Sequence, residues 1–307
     1  MSLPTIDLDE LQQVVDHDLA YGAVRTALDA IAADAIDMPN ESALKLRDGG
    51  EIHIKGGRLI SQPYIVFKVA AGGFASEGNA GCSILLDAET GAPAILLNDR
   101  GWLTEMRTAA SGAVAADLLA VDGDLNVAIL GTGIQARYQL EALKVRRNLT
   151  SVRVWGRSSA KTRALADEVG AVACASIEDA VVDADLVVTT TSATEPILLG
   201  HHLRPGMHIT AMGSDMAGKR ELAAEVLAQA DIIAGDDPSH CALVGELQHA
   251  PEHLERTVGL ALLSANTSTM RRSRADISVA DLCGLGAYDA AIACAALAQL
   301  QARGLIA

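Results

Sequence analysis

Residues 125–137 read Leu-Asn-Val-Ala-Ile-Leu-Gly-Thr-Gly-Ile-Gln-Ala-Arg, and no other stretch restricts the fold as much. A short apolar run, Leu125 to Leu130, ends in Gly131-x-Gly133-x-x-Ala136, and a helical pattern follows. A buried strand, a glycine turn and a helix N-terminus together make a site for a pyrophosphate. Gly131 permits the tight turn, Gly133 lets the backbone approach the phosphates, and Ala136 lets the helix pack close to the sheet. The free N–H groups of Thr132, Ile134 and Gln135 and the helix dipole face the anion. A second strand follows and ends at Trp155, so strand, turn, helix and strand agree on a dinucleotide site.

From 125 to about 282 strand and helix patterns alternate. Strand candidates are 125–130, 151–155, 171–174, 185–190, 207–212, 231–234 and 276–280; helix candidates are 134–146, 159–169, 176–183 and 219–229. Such alternation places parallel strands in one sheet, so an α/β fold with a doubly wound parallel sheet is expected. The first 35 residues have helical spacing through Val14, Leu19, Val24, Leu28 and Ile31, with Asp7 as an N-cap and Glu10 three residues later. Residues 42–99 change character. Short runs (43–46, 51–54, 64–70, 82–87, 93–97) are separated by turns such as Asp48-Gly49-Gly50 and Glu89-Thr90-Gly91, which reads as a β-rich, antiparallel unit. An Ala-rich helix is expected over 108–120 and an Ala/Leu helix over 286–303. The expected organisation is a β-rich α+β domain over 1–120, joined by the C-terminal helix 284–307, and a nucleotide domain over 121–283.

Half of the 307 residues are hydrophobic, enough to fill two cores. No apolar run approaches the roughly 20 residues of a membrane span. No signal-peptide pattern opens the sequence, and a cytoplasmic location is expected. The five cysteines (Cys82, Cys174, Cys241, Cys283, Cys294) form no CxxC and read as reduced thiols, with no metal site expected. A net charge of −15 argues against nucleic acid, whose phosphates require basic patches. An anionic substrate must then be met by a few placed cations.

The second strand runs into Gly156-Arg157-Ser158-Ser159, without the acid that would bind the adenosine ribose hydroxyls. Arg157 and Ser158 suit a 2′-phosphate, which favours NADP over NAD, although an exposed arginine here also reads as plain surface. Thr190, Thr191 and Ser192 end a further strand; they fit the ribose and nicotinamide edge, or only the β propensity of threonine. Lys68 lies in the apolar strand Tyr64–Ala70, where burial is costly without a partner; the plain alternative is a solvated strand face. Arg107, in Leu103-Thr-Glu-Met-Arg-Thr-Ala-Ala110, offers a fork for a carboxylate, or a salt bridge to Glu105 or Asp99. Asp215 follows the carboxyl end of a strand, where ligands of such sheets bind and a carboxylate can exchange protons; it could equally cap a helix near 219. His53 and Lys55 share one strand face, extending a basic pocket or facing solvent. His249 and His253 flank Pro251 and make no metal pair.

Taken together, these segments resemble the ornithine cyclodeaminase/mu-crystallin family. The resemblance runs in order through Lys68 in its strand, Leu-Thr-Glu-Met-Arg-Thr-Ala-Ala (103–110), Gly-Thr-Gly-Ile-Gln-Ala-Arg (131–137) and Val-Trp-Gly-Arg-Ser (154–158). It continues through Gly-Ser-Asp-Met-Ala-Gly-Lys-Arg-Glu-Leu (213–222) and Gly-Leu-Gly-Ala-Tyr-Asp (284–289). It implies a Rossmann-type domain binding NAD or NADP, a homodimer formed through the β-rich domain, and a small imino or amino acid as substrate. It also implies that Lys68 and Arg107 hold the substrate carboxylate and that Asp215 handles protons, with Lys68 and Asp215 as the catalytic residues. Family members share hydride transfer between nicotinamide C4 and the α-carbon of an amino or imino acid. One departure stands out. The family's further carboxylate-binding arginine is absent, with Ser42 or a neighbour in its place within Pro39-Asn-Glu-Ser-Ala43. The family's common Met-Pro pair is replaced by His53-Ile-Lys55-Gly-Gly, so His53 and Lys55 are expected as a second anion contact, as a dicarboxylic imine would need. The expected function is that of an NAD(P)-dependent imine reductase or amino-acid dehydrogenase. The alternatives are an ornithine cyclodeaminase-type ammonia lyase with catalytic NAD, and a non-catalytic, crystallin-like nucleotide-binding protein.

Overall fold

The computed structural model describes residues 3–39, 41–47, 49–74, 80–266 and 273–306. The chain divides into two compact units, Met1–Ala110 with Leu285–Ala307, and Ser111–Gly284.

The first unit contains β1 (Thr5–Asp7), α1 (Leu8–Leu11), α2 (His17–Ala32), β2 (Ile36–Asp37), β3 (Ser42–Lys45), β4 (Glu51–Leu59), β5 (Tyr64–Gly72), β6 (Ala80–Asp87) and β7 (Pro93–Asn98). The start of α3 (Trp102–Leu119) and a C-terminal helix (Gly286–Ala302) complete it. The Glu10 carboxylate accepts the Asp7 N–H at 2.9 Å, and Asp16 opens α2 by accepting from Leu19 N at 2.8 Å. The sheet runs β1-β7-β6-β5-β4-β2, with β3 also on β4. Strands β3 to β7 pair antiparallel, as their turns predict, but β1 adds parallel to β7, so the sheet is mixed. Three residues are too few to show a period, and β1 reads in sequence as part of the helical N-terminus. The Glu89-Thr90-Gly91 turn forms around Asp87 Oδ1, which accepts from Thr90 N at 2.8 Å. Of the other expected turn, Asp48 lies outside the described residues. α3 starts six residues before its expected beginning at 108, because Asp99 Oδ2 accepts from Leu103 N at 2.9 Å and caps it. The C-terminal helix packs on α2, β4 and β5. The opposite sheet face leaves Leu44 at 56% and Ile54 at 42% exposure.

The second unit contains β8 (Leu125–Leu130), α4 (Ile134–Arg146), β9 (Leu149–Trp155), α5 (Ser159–Val169), β10 (Val172–Ala173), α6 (Ile177–Val181) and β11 (Leu186–Thr189). β12 (His208–Ala211), α7 (Ala224–Gln229), β13 (Ile232–Gly235), α8 (Pro238–Val244), β14 (Val258–Gly259), α9 (Leu260–Ala265) and β15 (Ser278–Asp281) follow. The sheet is wholly parallel in the order β10-β9-β8-β11-β12-β15-β13-β14. Leu130, Val187, Ile209 and Val279 form its core with Leu198, Val226 and Leu227. The strand order reverses between β8 and β11, and that switch point opens the crevice where such sheets bind ligands. The helix expected over 219–229 begins only at Ala224. Residues 219–223 are not helical; Arg220 N donates to Ala193 O at 2.8 Å and Leu222 bridges Leu198. A helix-capping role for Asp215 is thereby removed. No helix among the described residues is long and apolar enough to cross a membrane.

Candidate active site

The turn after β8 has the geometry its glycines require. Gly131 takes φ 138, and a Cβ there would collide with Thr190 Oγ1. Its N–H donates to Trp155 O at 2.8 Å, and Thr190 N donates to Leu130 O at 2.9 Å, so the turn sits between the ends of β9 and β11. Gly133 is the N-cap of α4; a Cβ there would meet nothing within 4 Å. No side chain caps this helix and its first turn carries no acid. Ala136 is buried against the sheet, Thr132 and Gln135 are half-buried, and Ile134 is exposed. The Thr190 hydroxyl is buried without a hydrogen-bond partner among the described residues. An open backbone approach and an uncapped helix dipole in the turn, with the orphaned Thr190 hydroxyl beside Gly131, fit a nucleotide diphosphate. At the end of β9, Arg157 and Ser158 are exposed, and the Ser158 hydroxyl also accepts from Lys161 N at 3.4 Å as the cap of α5. Thr191 is half-buried and Ser192 exposed.

The loops after β11 and β12 are tied together by Glu221, a residue that sequence reasoning missed. Its Oε2 accepts from Thr189 Oγ1 at 2.6 Å and Gly213 N at 2.8 Å, and its Oε1 from Thr191 N at 2.5 Å. The Glu221 and Leu222 N–H groups donate to Glu246 at 2.7 and 3.0 Å. Burial pushes Glu221 up, and burial with the neighbouring Asp281 charge pushes Glu246 to about 9. Asp281 is raised to about 7, again by burial first. Asp215 lies on the same loop as Gly213, half-buried, with Oδ1 2.7 Å from Lys219 Nζ.

In the first unit, strand register decides which side chains meet. Lys55 of β4 stands opposite Lys68 of β5, which stands opposite Ser83 of β6, so the three share one sheet face. Lys55 is 6% and Lys68 3% exposed, which rules out a solvated face for either; His53, on the same face, is half-buried. The C-terminal helix closes onto β4 because Gly286 has no side chain: a Cβ there would overlap Gly56 O. This brings Asp289, in the helix's first turn, among the cations. Its Oδ1 accepts from Arg107 Nε at 2.9 Å and its Oδ2 lies 3.6 Å from Lys68 Nζ. Glu41 takes the remaining cations, Lys55 Nζ at 2.9 Å and His53 Nδ1 at 2.8 Å.

The electrostatics follow from burial. Burial pushes the Asp289 carboxyl up, but the charges of Arg107, Lys68 and Lys55 overcome it and hold the group below the usual carboxylate range. Burial drives Lys68 down to about 8 against the attraction of Asp289, and Arg107 and Lys55 add to the fall. Among the described residues, Lys68 has no hydrogen-bond partner and Arg107 donates only from Nε to Asp289. Asp289 Oδ2 accepts no hydrogen bond either. The cluster therefore retains donors for one more anion. Asp289 escaped sequence reasoning because an acid in a helix's first turn is ordinary there.

Strand order, glycine turn and buried cations define a doubly wound α/β protein with a dinucleotide-type turn and a buried cluster of Lys68 and Arg107 around Asp289. The chain belongs to the ornithine cyclodeaminase/mu-crystallin family, whose sequence profile matches residues 8–302. A protein of Sinorhizobium fredii named as an uncharacterized cyclodeaminase is 36% identical over 325 residues, covering 98% of each chain. The ketimine reductase mu-crystallin of Mus musculus is 37% identical over 150 residues, 48% of each chain. An archaeal alanine dehydrogenase dimer with bound NAD matches 99% of this chain and 98% of its own, with a TM-score of 0.90 and 25% identity.

Proposed function

We propose that the protein is an NAD(P)-dependent oxidoreductase that moves hydride between nicotinamide and the α-carbon of a small imino or amino acid, as an imine reductase or amino-acid dehydrogenase. The observation that carries this reading is the Lys68–Arg107 pair, buried around Asp289 with donors unfilled. A substrate carboxylate supplies the missing acceptor, with the guanidinium fork fixing its plane and Lys68 its charge. Holding the carboxylate fixes the α-carbon, and orientation contributes much of the rate. Gly131, Thr132, Gly133, Ile134, Gln135 and Ala136 hold the coenzyme diphosphate, and Thr190, Thr191 and Ser192 its nicotinamide-side ribose. Arg157 and Ser158 meet the adenosine 2′ position and favour NADP over NAD. When bound, the coenzyme supplies or accepts the hydride. Asp215 exchanges the proton of the substrate nitrogen, directly or through water.

The alanine dehydrogenase and ketimine reductase relatives support this chemistry. The apolar sheet face carrying Leu44 and Ile54, together with the dimeric alanine dehydrogenase, supports a homodimer formed through the first unit. Free thiols at all five cysteines suit a cytoplasmic location.

The test is a screen of 2-oxo acids with ammonia or methylamine, and of cyclic imines, against NADH and NADPH at 340 nm. Saturable oxidation that is lost in Lys68→Met and Asp215→Asn is expected. Ornithine turnover with ammonia release and no net change at 340 nm would assign a cyclodeaminase. Tight coenzyme binding without any turnover would assign a binding protein.

A further inference from the structure

We propose that Glu41 sets the substrate class: it is a built-in counter-ion that occupies Lys55 and His53, so the site takes substrates with one carboxylate and rejects those with two. This rests on reading the Lys68–Arg107 cluster as the carboxylate site. Glu41 directly precedes β3, whose Ser42 and Ala43 pair with Ile54 and His53 of β4. That register carries Glu41 to the Lys55 end of the Lys55–Lys68–Ser83 row. Its side chain is 11% exposed, and each carboxylate oxygen takes a different partner, Oε1 the His53 ring and Oε2 the Lys55 ammonium.

Placement then decides. Glu41 holds Lys55 and His53, and Asp289 holds Arg107 and faces Lys68, so the unfilled donors are those of Lys68 and Arg107. One substrate carboxylate takes them. A second would leave a buried negative charge without a partner, which is strongly unfavourable. The cation best placed to meet a second carboxylate, Lys55, already has a carboxylate at 2.9 Å. The preferred substrates are therefore imines of 2-oxo acids with uncharged side chains. Removing the Glu41 charge would convert Lys55 and His53 into a receptor for a distal carboxylate.

The test compares chain-matched acids with ammonia: 2-oxobutanoate against oxaloacetate, and 2-oxopentanoate against 2-oxoglutarate. Wild type should favour the monocarboxylic member in kcat/KM by at least about 30-fold, the low end for an unpaired buried charge. Glu41→Gln should shift the ratio toward the dicarboxylic member by a similar factor, and adding Lys55→Met should take most of that gain away. A wild type that prefers dicarboxylates, or a ratio unmoved by Glu41→Gln, overturns the proposal. Calorimetric binding of butyrate and succinate reads the same selectivity without turnover. If no oxo acid is reduced but Glu41→Gln still gains succinate affinity, the reaction assignment fails and the role of Glu41 stands. If neither acid binds either protein, the carboxylate site itself is wrong and both readings fall. Should Glu41→Gln not fold by circular dichroism, the wild-type preference decides.

Discussion

Asp289 keeps Lys68 charged near neutral pH, so its removal tests the cluster directly. Lys68 titrates at about 8 with the Asp289 carboxylate 3.6 Å from its ammonium. At that distance and an effective dielectric of about 20, the attraction is about 4–5 kcal/mol. Relaxation and the loss of the same partner by Arg107 bring the expected shift to the roughly 1–3 units usual for one opposite charge in contact. The sign is fixed: without the anion the ammonium is harder to keep, so Lys68 deprotonates at lower pH in Asp289→Asn. A neutral Lys68 does not hold a carboxylate as an ion pair. The alkaline limb of kcat/KM, which reports the free enzyme, should then lie near pH 8 in wild type and roughly 1–3 units lower in the variant. For a shift of about two units the loss is about fifty-fold at pH 8 and slight at pH 5. The assay is imine reduction at 340 nm from pH 5 to 10, with coenzyme affinity measured separately by fluorescence. Lys68→Arg, whose guanidinium stays charged, should remove the limb from this range. Identical limbs in wild type and Asp289→Asn, or a wild-type limb retained in Lys68→Arg, would refute the reasoning.

Three further outcomes are expected. Gly131→Ala forces φ 138 on an alanine and drives its Cβ into Thr190; with strain of about 1–3 kcal/mol, NAD(P)H affinity by fluorescence titration should fall at least about five-fold, and normal binding would place the coenzyme elsewhere. Glu246 and Asp281 keep their protons to about 9 and about 7 in the folded protein, whereas the unfolded chain loses them near pH 4. Stability to urea should thus decline as pH rises from about 5 to 9 and then level, since the folded state binds more protons throughout that window; Glu246→Gln should flatten the upper part, and an unchanged slope would show that Glu246 ionises normally. Gly286→Ala would overlap Gly56 O and should cost about 1–3 kcal/mol by overpacking, lowering the melting temperature while moving the Lys68 limb as Asp289 is displaced; a wild-type limb would mean that the helix start does not position Asp289.

The second unit was legible because its central strands β8, β11, β12 and β15 are buried on both faces. Continuous apolar runs closed by glycines and capping residues show both type and limits, and β8 and α4 match their expected spans, 125–130 and 134–146. Residues 219–223 misled for a definite reason. Lys-Arg-Glu-Leu has ordinary helix propensity, but the Glu221 and Leu222 N–H groups are taken by Glu246, a contact that no local pattern announces. Tertiary hydrogen bonding outweighed propensity at that point. The two-residue strands β2 and β14 have no period to read.

In the Lys68–Arg107 cluster the sequence showed the cations and not their counter-ions. A lysine inside an apolar strand breaks its surroundings and draws notice, and an arginine beside it invites a carboxylate. An acid before a strand or in a helix's first turn breaks nothing, so Glu41 and Asp289 stayed silent. That asymmetry matters because the charge of a buried site belongs to the set and not to its members. Read as cations alone, His53, Lys55, Lys68 and Arg107 describe a pocket for a dianion. With Glu41 on His53 and Lys55 and Asp289 beside Lys68 and Arg107, only Lys68 and Arg107 keep unfilled donors, and the inferred substrate changes from a dicarboxylate to a monocarboxylate without a cation having moved.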